Sequence, residues 1–200
     1  MDKDPFKAYK VKLKETKRVF LTKDELESLE TKEIPIERLS IVRDVFVFCC
    51  YTGLSYVDVE KLTSHNSAKN NDGEIWINID RTKTGSPSSL PLLPKALHLL
   101  NKYKRYPTDD DPNKLLPVIS NQRINAYLKK IASLSGIKKN LTVHAARHTF
   151  GTTITLSNGI SIETVSAMLG HKNFKTTQIY AKVVREKISA DIKKLKETMS

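Results

Sequence analysis

The sequence predicts a mainly helical domain carrying one small antiparallel β-sheet, an α+β arrangement. Helix-length apolar patterns bounded by recognisable cap residues recur along the 200 residues. Against them stands one stretch, Glu74-Ile-Trp-Ile-Asn-Ile-Asp80, that alternates at period two and puts Ile75, Ile77 and Ile79 on one face of a strand. A turn, Gly85-Ser-Pro-Ser-Ser89, then leads into Leu90-Pro-Leu92, a short return strand that Pro91 confines to a sheet edge or end.

Taken in order, residues 1–20 are Lys-rich and weakly periodic and read as a basic linker or arm, with the domain proper at 21–200. Thr22 is an N-cap, Glu25 closes a capping box on it, and Leu21 with Leu26 forms a hydrophobic staple. From Pro35 to Tyr51 the apolar residues run almost all round the helix, which marks it as the central buried one. Thr52-Gly53 ends it, and Ser55 with Asp58 caps the next helix. Pro94 opens a helix to about Tyr103. A polar loop at 107–113 precedes helices near 121–134, 143–157, 161–169 and 184–198, the third bracketed by Ser161 and Gly170. In the last, Ile188, Ile192 and Leu195 make a thin apolar stripe suited to docking on another surface.

Composition narrows the function classes. Apolar content of 39% and charged content of 28% are those of a globular chain that can bury a core. The longest apolar run, Val45 to Tyr51, is too short to cross a bilayer, and the N-terminus has no hydrophobic signal core, so a cytoplasmic protein is expected. Cys49 and Cys50 are adjacent in an apolar segment and read as buried thiols. A net charge of +12 calls for a polyanion partner. No segment pairs a basic face with an aromatic-rich apolar one, so nucleic acid is favoured over a membrane surface.

The chemistry-bearing residues gather near the C-terminus: His144, Arg147 and His148 on one helix, then Leu169-Gly170-His171, then Tyr180. A guanidinium fork suits a phosphate, imidazoles can move protons, and a phenol can attack phosphorus. His144 and His148 at i and i+4 also fit zinc. However, Ala145 occupies the place of the glutamate in a His-Glu-x-x-His helix, and neither cysteine lies at a ligand spacing. No metal is expected, and no nucleotide-binding loop occurs.

In this order the residues resemble the tyrosine recombinase (phage integrase) family over about residues 21–185. His144-x-x-Arg147-His148 resembles its His-x-x-Arg-His box, and Leu169-Gly170-His171 with Tyr180 its Leu-Gly-His…Tyr ending. Thr52-Gly53-Leu54 with Asp58 resembles its Thr-Gly-Leu-Arg-x-x-Glu box, and Lys83 stands where the family has a hairpin lysine. Details of the second box and the hairpin look most like integrases of bacterial conjugative transposons. The resemblance implies a DNA breaking-rejoining catalytic-domain fold, with Tyr180 attacking the scissile phosphate to leave a 3′-phosphotyrosyl link and a free 5′-hydroxyl. It further implies His144 as proton acceptor, Arg147 and His171 on the non-bridging oxygens, Lys83 as general acid, and His148 in support. Double-stranded DNA is then the partner, with a tetrameric synapse, exchange of the 184–198 helix between protomers, an accessory DNA-bending protein, and no cofactor, ATP or metal.

One departure stands out. Ser55 occupies the place of the family's first arginine and brings no charge. Arg81, two residues before Lys83, would reach the phosphate from the same strand face if the strand continued that far, and is the expected substitute. A catalytically silent DNA-binding regulator or accessory factor is the alternative, and a type IB topoisomerase would share the chemistry without a specific site.

Overall fold

A computed structural model describes residues 18–106 and 111–181, with Ile192, Lys196, Glu197 and Met199 beyond them. The expected arm at 1–20 and helix at 184–198 fall largely outside the described residues, as does 107–110 of the polar loop.

Helix α1 (Lys23–Thr31) starts with a reciprocal box: Glu25 N–H donates to Thr22 Oγ1 at 3.3 Å, and Thr22 N–H donates to Glu25 Oε2 at 2.8 Å. Leu21 and Leu26 are both buried beside it. Helix α2 (Glu37–Thr52) is the central element, and Val45 to Cys50 are buried without interruption. No amphipathic face survives, because α1, α4, α5 and α6 all pack around it. Its one buried acid, Asp44, is matched by Arg43, by Lys102 at 2.6 Å and by the Tyr103 hydroxyl at 2.8 Å. Gly53 ends the helix at φ 68°, and a Cβ there would lie 2.6 Å from the Phe150 ring, so both the turn and the packing demand glycine.

Helix α3 (Tyr56–Glu60) leads to the sheet, β1 (Ser67–Lys69), β2 (Ile75–Asp80) and β3 (Pro87–Pro91), antiparallel in the order β1-β2-β3. Ile77 pairs with Ser67 and with Leu90, and both Ile77 and Leu90 are fully buried. β1 carries no alternation in Ser-Ala-Lys and was not predicted. β3 begins three residues before Leu90, since its Ser and Pro residues give no apolar signal. Pro91 lies at the end of β3 on the sheet edge, where a missing N–H costs nothing. Helices α4 (Pro94–Tyr103) and α5 (Asn121–Leu134) match their sequence limits.

The expected helix at 143–157 is three pieces: α6 (Val143–Thr149), a π-helical stretch at Phe150–Thr155, and a 3₁₀ turn at Leu156–Asn158. Threonines produce the change. The Thr152 hydroxyl donates to His148 O, and that of Thr155 to Phe150 O and Gly151 O, which widens the local turn. Helix α7 (Ile162–Met168) begins at Ser161, whose hydroxyl accepts from Thr164 N–H. A further helix, α8 (Lys175–Ala181), carries Tyr180 and was not predicted. α8, α7 and the π stretch enclose a second small core of Phe150, Leu156, Val165, Leu169 and Tyr180.

Candidate active site

Three helix ends and one hairpin converge on a cavity of about 570 Å³ lined by Ser55, Arg81, Lys83, His144, Arg147 and His171 among others. Arg147 is placed by carbonyls that helices leave unpaired at their C-termini. Its Nη1 donates to Gly53 O at the end of α2 and its Nη2 to Leu169 O at the end of α7, each at 2.6 Å. The guanidinium also makes a hydrogen bond with Tyr180, and its five N–H groups exceed these three contacts. Burial, then the nearby Arg81, lowers the Arg147 pKa to about 10, still cationic at neutral pH.

His171 is placed by the C-terminus of α7. Gly170 turns the chain at φ 60°; its N–H donates to Ala167 O while His171 N–H donates to Ser166 O, the paired bonds of a Schellman ending. On the ring, Nδ1 lies 2.7 Å from Thr177 Oγ1. Burial, then Arg147 and Arg81, hold His171 down at about 4. His148 is pushed to about 3 by burial and by its neighbours His144, Arg18, Arg147 and His171. Its Nδ1 is buried with no partner among the described residues. His144, exposed at the rim, is lowered by partial desolvation of its ring and by Arg147, Arg18 and Lys83. All three imidazoles are therefore neutral at neutral pH, which leaves His144 a lone pair with which to accept a proton.

Ser55 caps α3 as predicted: its hydroxyl and its N–H both donate to Asp58 Oδ2. The same carboxylate takes Arg81 Nη2 at 3.1 Å and, through Oδ1, the Thr82 N–H at 3.0 Å. Burial works against the charge, but the Ser55 hydroxyl, the Thr82 N–H and Arg81 together hold Asp58 below the usual carboxylate range. Arg81 is buried, and its Nη1 has no hydrogen-bond partner among the described residues. Arg81 reaches the cavity by a different route from the expected strand alternation. β2 ends at Asp80, and Arg81 O accepts from Thr84 N–H and Gly85 N–H, closing a turn that buries Arg81 and exposes Lys83 at its tip.

Tyr180 is brought close but not into the cavity wall. Its ring stacks on His171 with centroids 6.3 Å apart and tilts against His148 at 5.4 Å. It is 3% exposed, resting on Gly151, where a Cβ would meet the ring at 3.1 Å. Burial raises the phenol pKa, opposed by the charges of Arg147, Arg18 and Arg81 and by a hydrogen bond with Arg147. Gly151, Thr177, Ser166 and Arg18 were all missed from the sequence. Only the threonine had a usable signal, three residues before Tyr180 on the same helix face.

No cluster of three or more metal-binding side chains occurs among the described residues, and no helix there is long and apolar enough to cross a membrane.

In this helical domain with a three-stranded sheet, two arginines, a lysine and imidazoles converge on one cavity beside a tyrosine. The phage integrase family model matches residues 19–187, and the chain belongs to that family. The tyrosine recombinase XerC of Listeria monocytogenes is 32% identical over 98 residues, 49% of this chain and 32% of its own. The chain thus spans about a third of the length of such relatives. Among solved structures, XerA recombinase superposes with a TM-score of 0.69 at 23% identity, covering 88% of this chain and 66% of that one. The Tn1549 transposon integrase in complex with a circular intermediate DNA gives 0.65 at 18% identity, covering 82% and 62%. At these identities the structures speak for the fold.

Proposed function

We propose that this chain is the catalytic domain of a site-specific recombinase that cuts and rejoins double-stranded DNA through a 3′-phosphotyrosyl intermediate during integration or transposition. The observation that carries the reading is the cavity itself: Arg147, Arg81 and Lys83 supply positive charge around a space of about 570 Å³, with Tyr180 stacked immediately behind His171. The phenolic oxygen of Tyr180 bonds to phosphorus as the P–O5′ bond breaks. Its proton passes to His144, and Lys83 protonates the departing 5′-oxygen. Arg147 and His171 hold the non-bridging oxygens, and His148 supports the Tyr180 ring. Because Tyr180 is buried and protonated without DNA, seating the phosphate must draw the phenol forward into the cavity.

Arg81 takes the part that Ser55 cannot. A buried guanidinium nitrogen without an acceptor is costly, and a phosphate oxygen would satisfy it. Lys83 and Arg18 extend the basic surface along the backbone. The partners proposed are double-stranded DNA, further copies of the chain assembled on it, and an accessory DNA-bending protein, in the cytoplasm. A tyrosine recombinase keeps the bond energy in the phosphotyrosine, so no cofactor is invoked. The residues 1–20 would be the arm entering from outside the domain, and the 184–198 stripe would dock on a neighbouring copy.

The test is a nicked suicide substrate bearing the element's crossover site, read as a denaturant-resistant protein–DNA adduct. Wild type should form it and Tyr180→Phe should not. Arg81→Ala should slow adduct formation by about 10²–10³, the usual loss for one transition-state donor, and Arg81→Lys by less. No adduct from the wild-type chain would return it to the silent DNA-binding class; full activity in Arg81→Ala would remove Arg81 from the site.

A further inference from the structure

We infer that Thr177 is a positioning residue for His171, fixing which ring nitrogen faces the phosphate. This rests on the reading of the cavity as a phosphate site and adds a residue to it. Thr177 is fully buried, and its hydroxyl lies in a chain of two contacts. It donates to Ser166 Oγ at 3.0 Å on α7, and its oxygen faces His171 Nδ1 at 2.7 Å. A hydroxyl has one proton. With that proton committed to Ser166, Thr177 accepts from His171, so the neutral ring carries its proton on Nδ1 and turns a bare Nε2 to the cavity that His171 lines.

Two consequences follow. The ring cannot spin, because Nδ1 is tethered to α8 while the His171 backbone is fixed by the end of α7. And an arriving phosphate meets an Nε2 that must take a proton from solvent before it can donate; Thr177 then remains the acceptor for Nδ1–H and supports the cationic ring. Thr177 stands one turn before Tyr180 on α8, so docking that helix delivers the nucleophile and orients His171 in a single step. The buried Thr177 hydroxyl has an apolar alternative of the same shape, valine, and Ser166 a slightly smaller one, alanine, so packing alone calls for neither hydroxyl. Their polarity is explained by the histidine they address.

Long-range ¹⁵N NMR of His171 in the free protein reads the tautomer directly. Wild type and Thr177→Ser should show the proton on Nδ1. Thr177→Val, which keeps the volume and loses the hydroxyl, should shift it to Nε2 or to a mixture. On the suicide substrate Thr177→Val should form adduct about 10-fold more slowly at unchanged DNA affinity, with a melting temperature a few degrees lower because His171 Nδ1 and Ser166 Oγ lose a buried partner, and Thr177→Ser should stay close to wild type. A wild-type ring protonated at Nε2, a tautomer that ignores Thr177→Val, or an undiminished adduct rate would each overturn the inference. Absence of adduct from wild type would defeat the recombinase reading instead, and the NMR result would still decide the hydrogen-bond role of Thr177.

Discussion

Arg147 gives one N–H from each terminal nitrogen to the carbonyls of Gly53 and Leu169, so truncating it removes a tie between α2 and α7 as well as the proposed phosphate donor. Its loss of activity would therefore be a mixed signal. Gly151 offers a cleaner probe of how closely Tyr180 is seated. The glycine lies in the π stretch and its φ is not positive, so alanine is conformationally acceptable there. What alanine meets is the Tyr180 ring, at 3.1–3.2 Å from three ring atoms, and the ring must give by a few tenths of an ångström. Geometry of attack is far more sensitive than packing; a misplacement near 1 Å can cost about 10²-fold. Gly151→Ala should slow single-turnover cleavage by about 10-fold while its melting temperature stays within a few degrees of wild type. Cleavage at the wild-type rate would mean that Tyr180 does not rely on this seat.

At the scale of the element, the β2–β3 hairpin is held to α3 by Asp58, and that anchor makes a relocated arginine possible. Buried Asp58 joins half-buried Ser55, buried Arg81 and the backbone N–H of Thr82, so the residue in place of the expected arginine and its proposed substitute share one carboxylate. Breaking a buried pair by removing one partner costs about 3–5 kcal/mol, because the other charge is stranded. Asp58→Ala should lose stability on that order by urea unfolding. The double variant Asp58→Ala with Arg81→Met should regain part of it without regaining cleavage. Equal losses in the single and double variants would show that the two side chains are not coupled. This anchor was only half legible in the sequence. Ser55 and Asp58 announce a helix cap by their spacing, but their tie to Arg81 depends on a turn that begins at Asp80. The same limit explains the other differences. α2, α4 and α5 were readable because long apolar periodicity and Pro or Gly punctuation fix them. β1 and α8 were not, since Ser-Ala-Lys has no alternation and Lys-Thr-Thr-Gln-Ile-Tyr-Ala is seven residues of mixed polarity that hold a helix by packing on the second core. The members of the site were visible as motifs; of their supports, Gly151 was not, because a close approach leaves no period behind, and Thr177 offered only its spacing from Tyr180.

Across the whole molecule, the site concentrates positive charge on a chain already at +12, and folding meets this by keeping the three histidines of the site, His144, His148 and His171, uncharged. His148 and His171 fall to about 3 and about 4, against roughly 6.5 in an unfolded chain. Between those limits the unfolded state binds protons that the folded state refuses. Stability is therefore complete above about pH 6.5 and declines as the pH falls, by about 1.4 kcal/mol per pH unit for each histidine while it lies within its window. Asp58 and Glu25, both held below the usual carboxylate range, add to the loss at the acid end. The midpoint of urea unfolding should drop steadily from pH 6.5 to 4.5, a range in which ordinary carboxylates contribute little. His148→Phe keeps a ring in the same space and removes one titrating group, so its midpoint should fall with a visibly shallower slope. DNA should flatten the wild-type profile as well, because a phosphate beside His171 favours the protonated ring. A midpoint independent of pH across this range, or a His148→Phe slope equal to that of wild type, would show that the imidazoles are not held neutral by the fold and that the positive charge of the site is larger than two arginines and a lysine supply.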